Sequence, residues 1–581
     1  MDRHTSGTGM AKGLPNYGDP GFSLFLRKAF IKGAGYTDDA LDRTVVGIVD
    51  TGSGFNPCHG NAAQLVEAVK RGVLLAGGLP VEFPTISLHE SFSNPTSMYL
   101  RNLMSMDTEE MIKALPLDAV VLIGGCDKTV PAQLMGAASA GIPAIQLVTG
   151  SMLTGGYRGR RVGACTDCRA YWGSYRGGEI DDAEITEVNS RLVGSVGTCS
   201  VMGTASTMAC VSEAMGIALP GSATPPAVTA DRARVAEETG RRAVGLAAEG
   251  LTIDRILTED AFENALRVLL ALGGSTNGIV HLAAIAGRLG FDIDLDTFDA
   301  LSRETPVLVN LKPAGSHYME DLHRAGGVPR LLNELRDQLN LDALTVTGRT
   351  LGEELDERRE DFPQDVIRTR DNPVYASGGI AVLRGNLAPG GAIVKQAAAS
   401  PELLEHRGRA VVFENSADLA RRIDDDDLDV TADDVLVLKN IGPVGAPGMP
   451  EAGYIPIPKK LARAGVKDMV RISDGRMSGT AAGTIVLHVS PEAAVGGPLK
   501  HVRTGDMVRL SISERRLDVE IPPEELRRRE QADTSGTTAA VEPPERGYAR
   551  LFVEQVTQAE HGCDFRFLRA REQRGSVPRA R

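Results

Sequence analysis

This 581-residue chain has few aromatic residues, and its basic residues are outnumbered by acidic ones. Phe, Tyr and Trp together make up 4% of it, Trp172 is the one tryptophan, and the formal net charge is −13. A nucleic-acid-binding surface needs clustered Lys and Arg, so the charge argues against that class of partner. No run of about 18 apolar residues is present, and we therefore expect no membrane-spanning helix.

Cysteine is also uncommon, and its distribution bears on the compartment. The seven cysteines are mostly widely spaced, and the N-terminal residues lack the apolar core of a secretory signal. An odd number of scattered cysteines fits a reducing environment better than a disulfide framework. We therefore expect a cytoplasmic protein. The negative net charge does not exclude a small anionic substrate, because a local metal or cationic site can override it.

Strand-like and helical runs alternate in the N-terminal part of the chain. The runs TVVGIVDTG (44–52) and DAVVLIGGC (118–126) indicate buried strands that end in Gly-rich turns, whereas NAAQLVEAVKRGVLLAG (61–77) has helical spacing. This rhythm predicts an α/β fold with a mostly parallel sheet covered by helices. Ligands of such sheets bind at the carboxyl ends of the strands, which is where Cys58 and Cys126 fall.

The pattern changes twice further along the chain. From about 200 to 340 it is helical, and the charged stretch at 351–373 is typical of a linker or surface excursion. Beyond it, short β-like runs with Gly and Pro turns predict a barrel or sandwich. We place the boundary near residue 375, between an N-terminal domain (1–375) and a C-terminal domain (376–581). Residues 525–546 are predicted to form a polar loop.

Three cysteines stand alone in stretches rich in Gly, Pro and small polar residues. Cys58, Cys126 and Cys199 occur in TGSGFNPCHGN, LIGGCDKTVPAQ and GSVGTCSVMGTAS. Gly lets the backbone fold closely around a cofactor and a turn exposes the sulfur, so these thiols are candidate ligands of an iron–sulfur cluster, although their spacing alone also fits incidental thiols. Three thiolates would leave one iron with an open position, where it can act as a Lewis acid toward a substrate hydroxyl.

Two carboxylates near these turns are candidate magnesium ligands. Glu90 in LHES and Asp127 in GCDK carry the hard oxygen donors that Mg²⁺ prefers, although an isolated carboxylate is more often a surface residue or helix cap. Asp127 lies directly between Cys126 and Lys128. A cluster on the cysteine and Mg²⁺ on its neighbour would place two electrophiles within reach of one substrate.

The turn SDGRMSGT at 473–480 follows an apolar strand and can present a serine hydroxyl to a pocket. Ser473 or Ser478 could serve as a base if a nearby cation or oriented N–H groups favoured the alkoxide. Alone, the turn is more typical of a Gly-rich connection. The segment GGSTN (273–277) is open to two interpretations, an anion site built from backbone N–H groups or a helix C-cap followed by a turn.

Cys165 and Cys168 form the one C-x-x-C of the sequence, in GACTDCRAYW. This spacing occurs in redox dithiols and in zinc knuckles. No second pair lies at a zinc-like distance, and neither a strand nor a helix N-terminus clearly frames the pair in the sequence. We leave its role unassigned.

Six longer motifs together resemble those of the iron–sulfur dehydratases. They are GGCDKTVPAQLMGAASAGIPAI, GTCSVMGTASTMA, ALGGSTNGIVHL, LKPAGSHYMEDLHRAGGVP, GAPGMPEAGYIPIP and SDGRMSGTAAGTIVLHVSPEA. This family contains dihydroxy-acid, phosphogluconate and sugar-acid dehydratases, and the resemblance extends from about residue 20 to 570. It implies a hydro-lyase with an N-terminal α/β/α domain, a C-terminal β-barrel, and a dimeric or tetrameric assembly.

Two segments indicate a branch of that family. GTCSVMGTASTM and FPTISLHESFSNPTSMYLRNL resemble the pentonate and other aldonate dehydratases rather than the branched-chain enzymes. The resemblance therefore implies that a sugar acid such as L-arabinonate or D-xylonate is converted to a 2-keto-3-deoxy acid and water. The alternatives are a dihydroxy-acid dehydratase of branched-chain amino-acid synthesis and, from another class, a non-catalytic iron–sulfur redox protein. A redox protein would need neither Ser478 nor Glu451.

The resemblance also implies a role for individual residues. The implied ligands of the cluster are Cys58, Cys126 and Cys199. The implied magnesium ligands are Glu90, Asp127, Lys128 and Glu451. The implied catalytic residues are Ser478 and Thr480. The cluster would be [2Fe–2S], with [4Fe–4S] as the less favoured form. Lys128 would be carbamylated, since a plain ammonium beside Mg²⁺ would be repelled. Ser478 would act as the base and Thr480 as a substrate contact.

Overall fold

The computed structural model describes residues 8–14, 17–358, 362–534 and 544–577. In chain order the strands are β1 (Val45–Asp50), β2 (Leu79–Pro84), β3 (Ala119–Gly124), β4 (Ala144–Val148), β5 (Gly155–Tyr157), β6 (Arg160–Val162), β7 (Phe291–Ile293), β8 (Ala381–Leu383), β9 (Gly391–Val394), β10 (Glu405–Phe413), β11 (Val435–Leu438), β12 (Arg471–Ser473), β13 (Ile485–Ser490), β14 (Met507–Ser511), β15 (Arg516–Val519) and β16 (Gly575–Val577). The α-helices are α1 (Pro20–Lys32), α2 (Asp38–Leu41), α3 (Ala62–Leu75), α4 (Ser97–Ala114), α5 (Thr129–Ala140), α6 (Thr166–Gly177), α7 (Asp182–Asn189), α8 (Thr204–Ala214), α9 (Ala230–Glu249), α10 (Ile253–Ile256), α11 (Glu259–Ala271), α12 (Asn277–Arg288), α13 (Leu295–Glu304), α14 (Met319–Arg324), α15 (Gly327–Glu334), α16 (Leu351–Glu357), α17 (Ser416–Arg422), α18 (Lys459–Arg463), α19 (Pro523–Thr534) and α20 (Gly547–Gln555).

The N-terminal sheet has the strand order β2-β1-β3-β4, and all of its neighbouring strands are parallel. β3 and β4 are buried along their whole length, as expected of apolar strands with both faces covered. Helices α3 and α9 pack closely together beside this sheet. Their contact requires Gly72, because a Cβ there would lie 1.9 Å from the carbonyl oxygen of Glu237. The prediction of an α/β fold with a mostly parallel sheet is confirmed.

The region from about 200 to 340 is helical, also as predicted. α8, α11 and α12 are buried on all sides, and they join the strands of the first sheet in one large hydrophobic core. A helix that is buried all round must be surrounded by other elements. These helices therefore form a central support behind the loops that carry the predicted cysteines.

A barrel-like sheet occupies the C-terminal part, with the strand order β15-β14-β10-β11-β12-β13-β9-β8. A bridge between Arg384 and Arg516 connects its two edges, so the sheet is nearly closed. Closure removes the exposed edges that a flat sheet would present. The predicted barrel-like architecture is confirmed, and β9 is a strand that the sequence pattern did not indicate. The division of the chain near residue 375 stays a prediction.

Two segments predicted as irregular contain helices. Within 351–373, α16 begins with a capping box between Thr350 and Glu353 and buries Leu351 and Leu355. Most of α19 lies within 525–546, where a loop was predicted. The acidic first turn of this helix is favourable at a helix N-terminus. Residues 359–361 and 535–543 lie outside the described residues. High local charge masked both helices in the sequence pattern.

Among the described residues, no helix combines the length and the apolar character that crossing a bilayer requires.

Candidate active site

The three predicted cluster cysteines lie on three turns that converge. Cys58 lies in a short 3₁₀ turn after β1, Cys126 follows β3, and Cys199 lies in the loop before α8. The pKa of the Cys58 thiol is raised well above its ordinary value, first by a hydrogen bond with the Cys126 thiol and then by burial. The Cys199 thiol interacts electrostatically with Cys126 and with Cys58. Residues separated by 141 positions in the sequence thus form one thiol cluster.

His59 fixes the geometry between two of these turns. Its Nε2 accepts hydrogen bonds from the backbone N–H groups of Gly125 and Cys126, both at 2.9 Å, and its Nδ1 lies 2.9 Å from the carbonyl oxygen of Thr51. Because two donors face Nε2, the proton must be on Nδ1. Burial lowers the pKa of His59 to about 4, which keeps the ring neutral. His59 was not predicted as a site residue, although its position directly after Cys58 could have indicated that role.

The predicted magnesium ligands form a second group beside the thiols. Oxygens of Glu90, Asp127 and Glu451 all lie within 4.8 Å of one another. The Cys126 thiol donates a hydrogen bond of 3.6 Å to Asp127, so the two groups are in direct contact. Carboxylate oxygens at this separation are the donors that Mg²⁺ takes, and thiols are those of an iron–sulfur cluster. The residues present therefore fit both cofactors.

Two buried cations lie among these carboxylates. Lys128 is fully buried, with its Nζ 3.3 Å from Glu90 and in contact with Asp127. Arg476 donates to Glu451 at 2.7 Å and lies 3.2 Å from Glu90. Although burial raises the pKa of Glu90, the charges of Lys128 and Arg476 outweigh it and hold that pKa well below its usual range. Arg476 was not predicted as a site residue, although it lies inside the SDGRMSGT turn.

Of the two serines predicted as a possible base, the geometry favours Ser478 over Ser473. The Ser478 Oγ lies 2.8 Å from the Oγ1 of Thr480, whereas Ser473 is buried in β12, where its hydroxyl accepts the Gly475 N–H at 2.9 Å. Ser473 therefore stabilises the start of the turn, and Ser478 and Thr480 form a hydroxyl pair further along it. Arg476 lies two residues before Ser478, which attaches this pair to the carboxylate group.

The GGSTN segment supports that turn from behind. It connects α11 to α12, and its Asn277 side chain donates to the carbonyl of Met477 at 3.0 Å. A Cβ on Gly479 would lie 2.5 Å from the Ser275 hydroxyl and 2.9 Å from the Thr204 backbone nitrogen. The close approach requires glycine at 479. Of the two interpretations of GGSTN, the structure supports a connection between helices, which here also positions the serine turn.

Comparison with known proteins shows the family to which the chain belongs. The N-terminal model of the dihydroxy-acid/6-phosphogluconate dehydratases matches residues 43–354, and the C-terminal model matches residues 365–563. The chain belongs to the dihydroxy-acid/6-phosphogluconate dehydratase family. Both halves of the site, the cysteine turns and the serine turn, lie inside the matched residues.

Relatives of this dehydratase family differ in their similarity to the chain. It is 48% identical over 551 residues to an L-arabonate dehydratase of Azospirillum brasilense, covering 94% of each chain. It is 44% identical to a 6-deoxy-6-sulfo-D-gluconate dehydratase of Pseudomonas putida, covering 92% of each chain. It is 39% identical to a dihydroxy-acid dehydratase of Acetivibrio thermocellus, over 92% of this chain and 96% of the relative. The predicted relationship to the sugar-acid branch of the family is confirmed.

A cavity of about 980 Å³ opens onto the serine turn of this dehydratase. Its lining includes Thr480, Cys165, Cys168, Arg169 and Tyr454. The guanidinium of Arg169 lies over the Tyr454 ring at 4.8 Å, and it is 3.9 Å from Glu451. The cavity therefore leads from solvent to the hydroxyl pair of Ser478 and Thr480. Arg169 connects the same cavity with the carboxylate group.

The unassigned C-x-x-C is part of the same region. Cys165 is the N-cap residue of α6, so a helix N-terminus does frame the pair, contrary to the expectation from the sequence. Its sulfur lies 3.8 Å from that of Cys199. The sequence missed this contact because no local pattern connects residue 165 with residue 199.

Proposed function

We propose that this dehydratase converts an aldonate, and specifically a pentonate such as L-arabinonate or D-xylonate, into the corresponding 2-keto-3-deoxy acid and water. The observation that carries the substrate class is the greater identity to sugar-acid dehydratases (48% and 44%) than to a dihydroxy-acid dehydratase (39%). The geometry supports a dehydration: Thr480 and Arg169 line one cavity, Thr480 contacts Ser478, Arg169 approaches Glu451, and the carboxylate group contacts the thiol cluster through Asp127 and Cys126.

We propose that Cys58, Cys126 and Cys199 hold a [2Fe–2S] cluster and that Glu90, Asp127, Glu451 and a carbamylated Lys128 surround Mg²⁺. When bound, these cofactors supply Lewis acidity toward the hydroxyl and carboxylate groups of the substrate.

Charge balance supports the carbamate on Lys128. As an ammonium, Lys128 and the guanidinium of Arg476 already neutralise most of the charge of the three carboxylates, which leaves little attraction for a divalent cation. Carbamylation replaces the positive charge of Lys128 with a negative one and adds two oxygen donors. The site then has the charge that Mg²⁺ requires.

In the proposed reaction Ser478, as the alkoxide, removes the proton from C2 of the substrate. The C3 hydroxyl leaves as water with the proton that Ser478 has taken up, which restores the alkoxide, and the resulting enol tautomerises to the 2-keto-3-deoxy acid. The Thr480 hydroxyl, 2.8 Å from the Ser478 Oγ, orients that oxygen or the substrate. Arg476, two residues before Ser478, donates to Glu451 and lies 3.2 Å from Glu90, so it holds the serine turn against the carboxylate group. Substrate would enter through the cavity beside Arg169.

A substrate panel tests the proposal. Anaerobically purified, cluster-reconstituted enzyme with Mg²⁺ is assayed for 2-keto acid formation from L-arabinonate, D-xylonate, D-gluconate, L-fuconate, D-galactonate, 6-deoxy-6-sulfo-D-gluconate and 2,3-dihydroxyisovalerate. We expect the highest kcat/KM with a pentonate. A preference for 2,3-dihydroxyisovalerate would move the chain to the branched-chain function, and no product from any of these acids would contradict the dehydratase assignment.

Three further expectations belong to the same proposal. The chain divides into domains near residue 375, the enzyme assembles as a homodimer or homotetramer, and it works in the cytoplasm. Light scattering of the purified protein determines the assembly, and limited proteolysis tests the boundary.

A further inference from the structure

The thiol of Cys165 contacts thiols on two sides. On one side its sulfur is 3.8 Å from Cys199, a proposed cluster ligand. On the other side is the thiol of Cys168, three residues further along and one turn into α6, which interacts with that of Cys165. A sulfur with two thiol neighbours can form a disulfide with either one, and can exchange one partner for the other.

The five neighbouring thiols differ in access from solvent. Cys58 and Cys126 are buried, whereas Cys165, Cys168 and Cys199 are partly exposed. Cys165 and Cys168 also line the cavity, so a small oxidant in solution reaches these two first. Cys210 and Cys563 are buried elsewhere, on α8 and against Met449. Exposure to solvent and contact between their thiols therefore distinguish Cys165, Cys168 and Cys199 from the other four cysteines.

We propose that Cys165 and Cys168 form a redox dithiol that keeps the proposed cluster ligand Cys199 available in the cluster-free enzyme. Hydrogen peroxide first oxidises Cys165 to the sulfenic acid and is itself reduced to water. The Cys199 thiol then attacks the Cys165 sulfur, a sulfur–sulfur bond forms, and the sulfenic hydroxyl leaves with the Cys199 proton as a second water. Cys168 then attacks the sulfur of Cys165. The bond to Cys199 breaks, the proton of Cys168 passes to Cys199, and a Cys165–Cys168 disulfide is left.

The local structure suits this exchange. A C-x-x-C whose first cysteine starts a helix has the spacing of redox dithiols. Thr166, between the two cysteines, donates to the carbonyl of Thr480 at 3.0 Å, which holds the start of α6 beside the serine turn. A reductant of the dithiol class, such as dithiothreitol, restores all three thiols. The exchange protects Cys199 because it returns that sulfur to the thiol, whereas a sulfur oxidised to the sulfinic or sulfonic level no longer binds iron.

Disulfide mapping tests the proposal on the full-length protein. Cluster-free enzyme is treated with a small excess of hydrogen peroxide, alkylated, digested without reduction and analysed by mass spectrometry. In the wild type we expect the Cys165–Cys168 disulfide and a free Cys199, with Cys210 and Cys563 unmodified as internal controls. In Cys168→Ser the exchange cannot occur, so the Cys165–Cys199 disulfide should accumulate.

The Cys165→Ser and Cys165→Ala variants test the protective effect. After peroxide and then dithiothreitol, the wild type should regain its cluster absorbance on reconstitution, whereas both variants should retain sulfinic or sulfonic Cys199 and regain less. Circular dichroism before treatment checks that they fold. A wild type without any disulfide among these three cysteines, or a Cys168→Ser variant without the Cys165–Cys199 bond, would overturn the proposal.

The inference relies on the proposed function only in assigning Cys199 to a cluster. If no cluster absorbance appears in any untreated sample after reconstitution, the cofactor proposal fails. The disulfide map of the same samples still decides whether the three thiols exchange as described, so the two failures are distinguishable.

Discussion

The imidazole of His59 accepts a hydrogen bond from the backbone N–H of Cys126 at 2.9 Å. The same nitrogen accepts from Gly125, and His59 itself directly follows Cys58. One neutral ring therefore connects two turns whose cysteines are 68 positions apart in the sequence. The relative position of these two proposed cluster ligands depends on it.

Replacing His59 with Ala should weaken both the fold and cluster binding. The change leaves two buried N–H groups without an acceptor, which costs about 2–5 kcal/mol of unfolding free energy. Urea unfolding of the cluster-free protein and iron content after reconstitution measure the two effects. His406→Ala, in β10, is the control and should retain its iron. Full iron content in His59→Ala would show that the ring is not needed to position the thiols.

Replacing Ser478 with Ala should abolish turnover while the cluster spectrum stays unchanged. The Oγ is the proposed base, and its loss removes no contact to the cysteines or carboxylates. We expect kcat to fall by at least about 100-fold. Thr480→Val, which removes the neighbouring hydroxyl and retains the shape, should show a smaller loss. Substantial dehydration by Ser478→Ala would contradict the assignment of the base.

Replacing Gly479 with Ala should displace the serine turn. The new Cβ would lie 2.5 Å from the Ser275 hydroxyl, so the backbone between Ser478 and Thr480 has to shift. A misplacement of about 1 Å can reduce the rate about 100-fold. Gly156→Ala is a matched control, because its Cβ would meet nothing within 4 Å. Wild-type kcat in Gly479→Ala would mean that the turn tolerates the shift.

Lysine 128 should carry a carbamate in the active enzyme. Reconstitution with Mg²⁺ and ¹³C-labelled bicarbonate should give a carbamate signal in the NMR spectrum and higher activity than reconstitution without bicarbonate. Lys128→Arg, which cannot form the carbamate, should lose both the signal and the activity. Lys70→Arg, on α3, retains ion pairs with Glu67 and Glu82 and is the control. A fully active enzyme without a carbamate signal would contradict the proposed magnesium shell.

Lys395 should make stability depend on pH. Its Nζ is buried and donates to the Gly479 carbonyl at 3.2 Å, and burial lowers its pKa from 10.5 to about 7. Between these values the folded state binds fewer protons than the unfolded state, so the free energy of unfolding rises with pH from about 7 to 10.5, and this contribution is lost as the pH falls back to about 7.

Urea unfolding between pH 7 and 10.5, the window between the two pKa values, measures the contribution of Lys395. In Lys395→Met the contribution of this residue should disappear, so the unfolding free energy should rise less steeply with pH than in the wild type. Lys467→Met, at a mostly exposed side chain, should leave the wild-type slope unchanged. Equal slopes for Lys395→Met and the wild type would show that this lysine does not titrate in that range.

The sequence by itself determined most of the elements and the types of side chain in the proposed site. Apolar runs that end in Gly-rich turns correctly predicted β1 and β3, and short apolar runs predicted most of the barrel. The motif resemblance indicated the family before any geometry was known. Cysteine, carboxylate and serine side chains were identified because their chemical types and immediate neighbours are local properties, which a linear pattern retains.

The tertiary structure alone decided which of these residues meet. It brought Glu451 and Arg476 to Glu90, placed Cys165 against Cys199, and put Lys395 behind the serine turn. None of these contacts follows from helical or strand periodicity, because each joins segments that are far apart in the chain. Such contacts are selected by the packing of whole elements, and that packing depends on buried surfaces contributed by many residues at once.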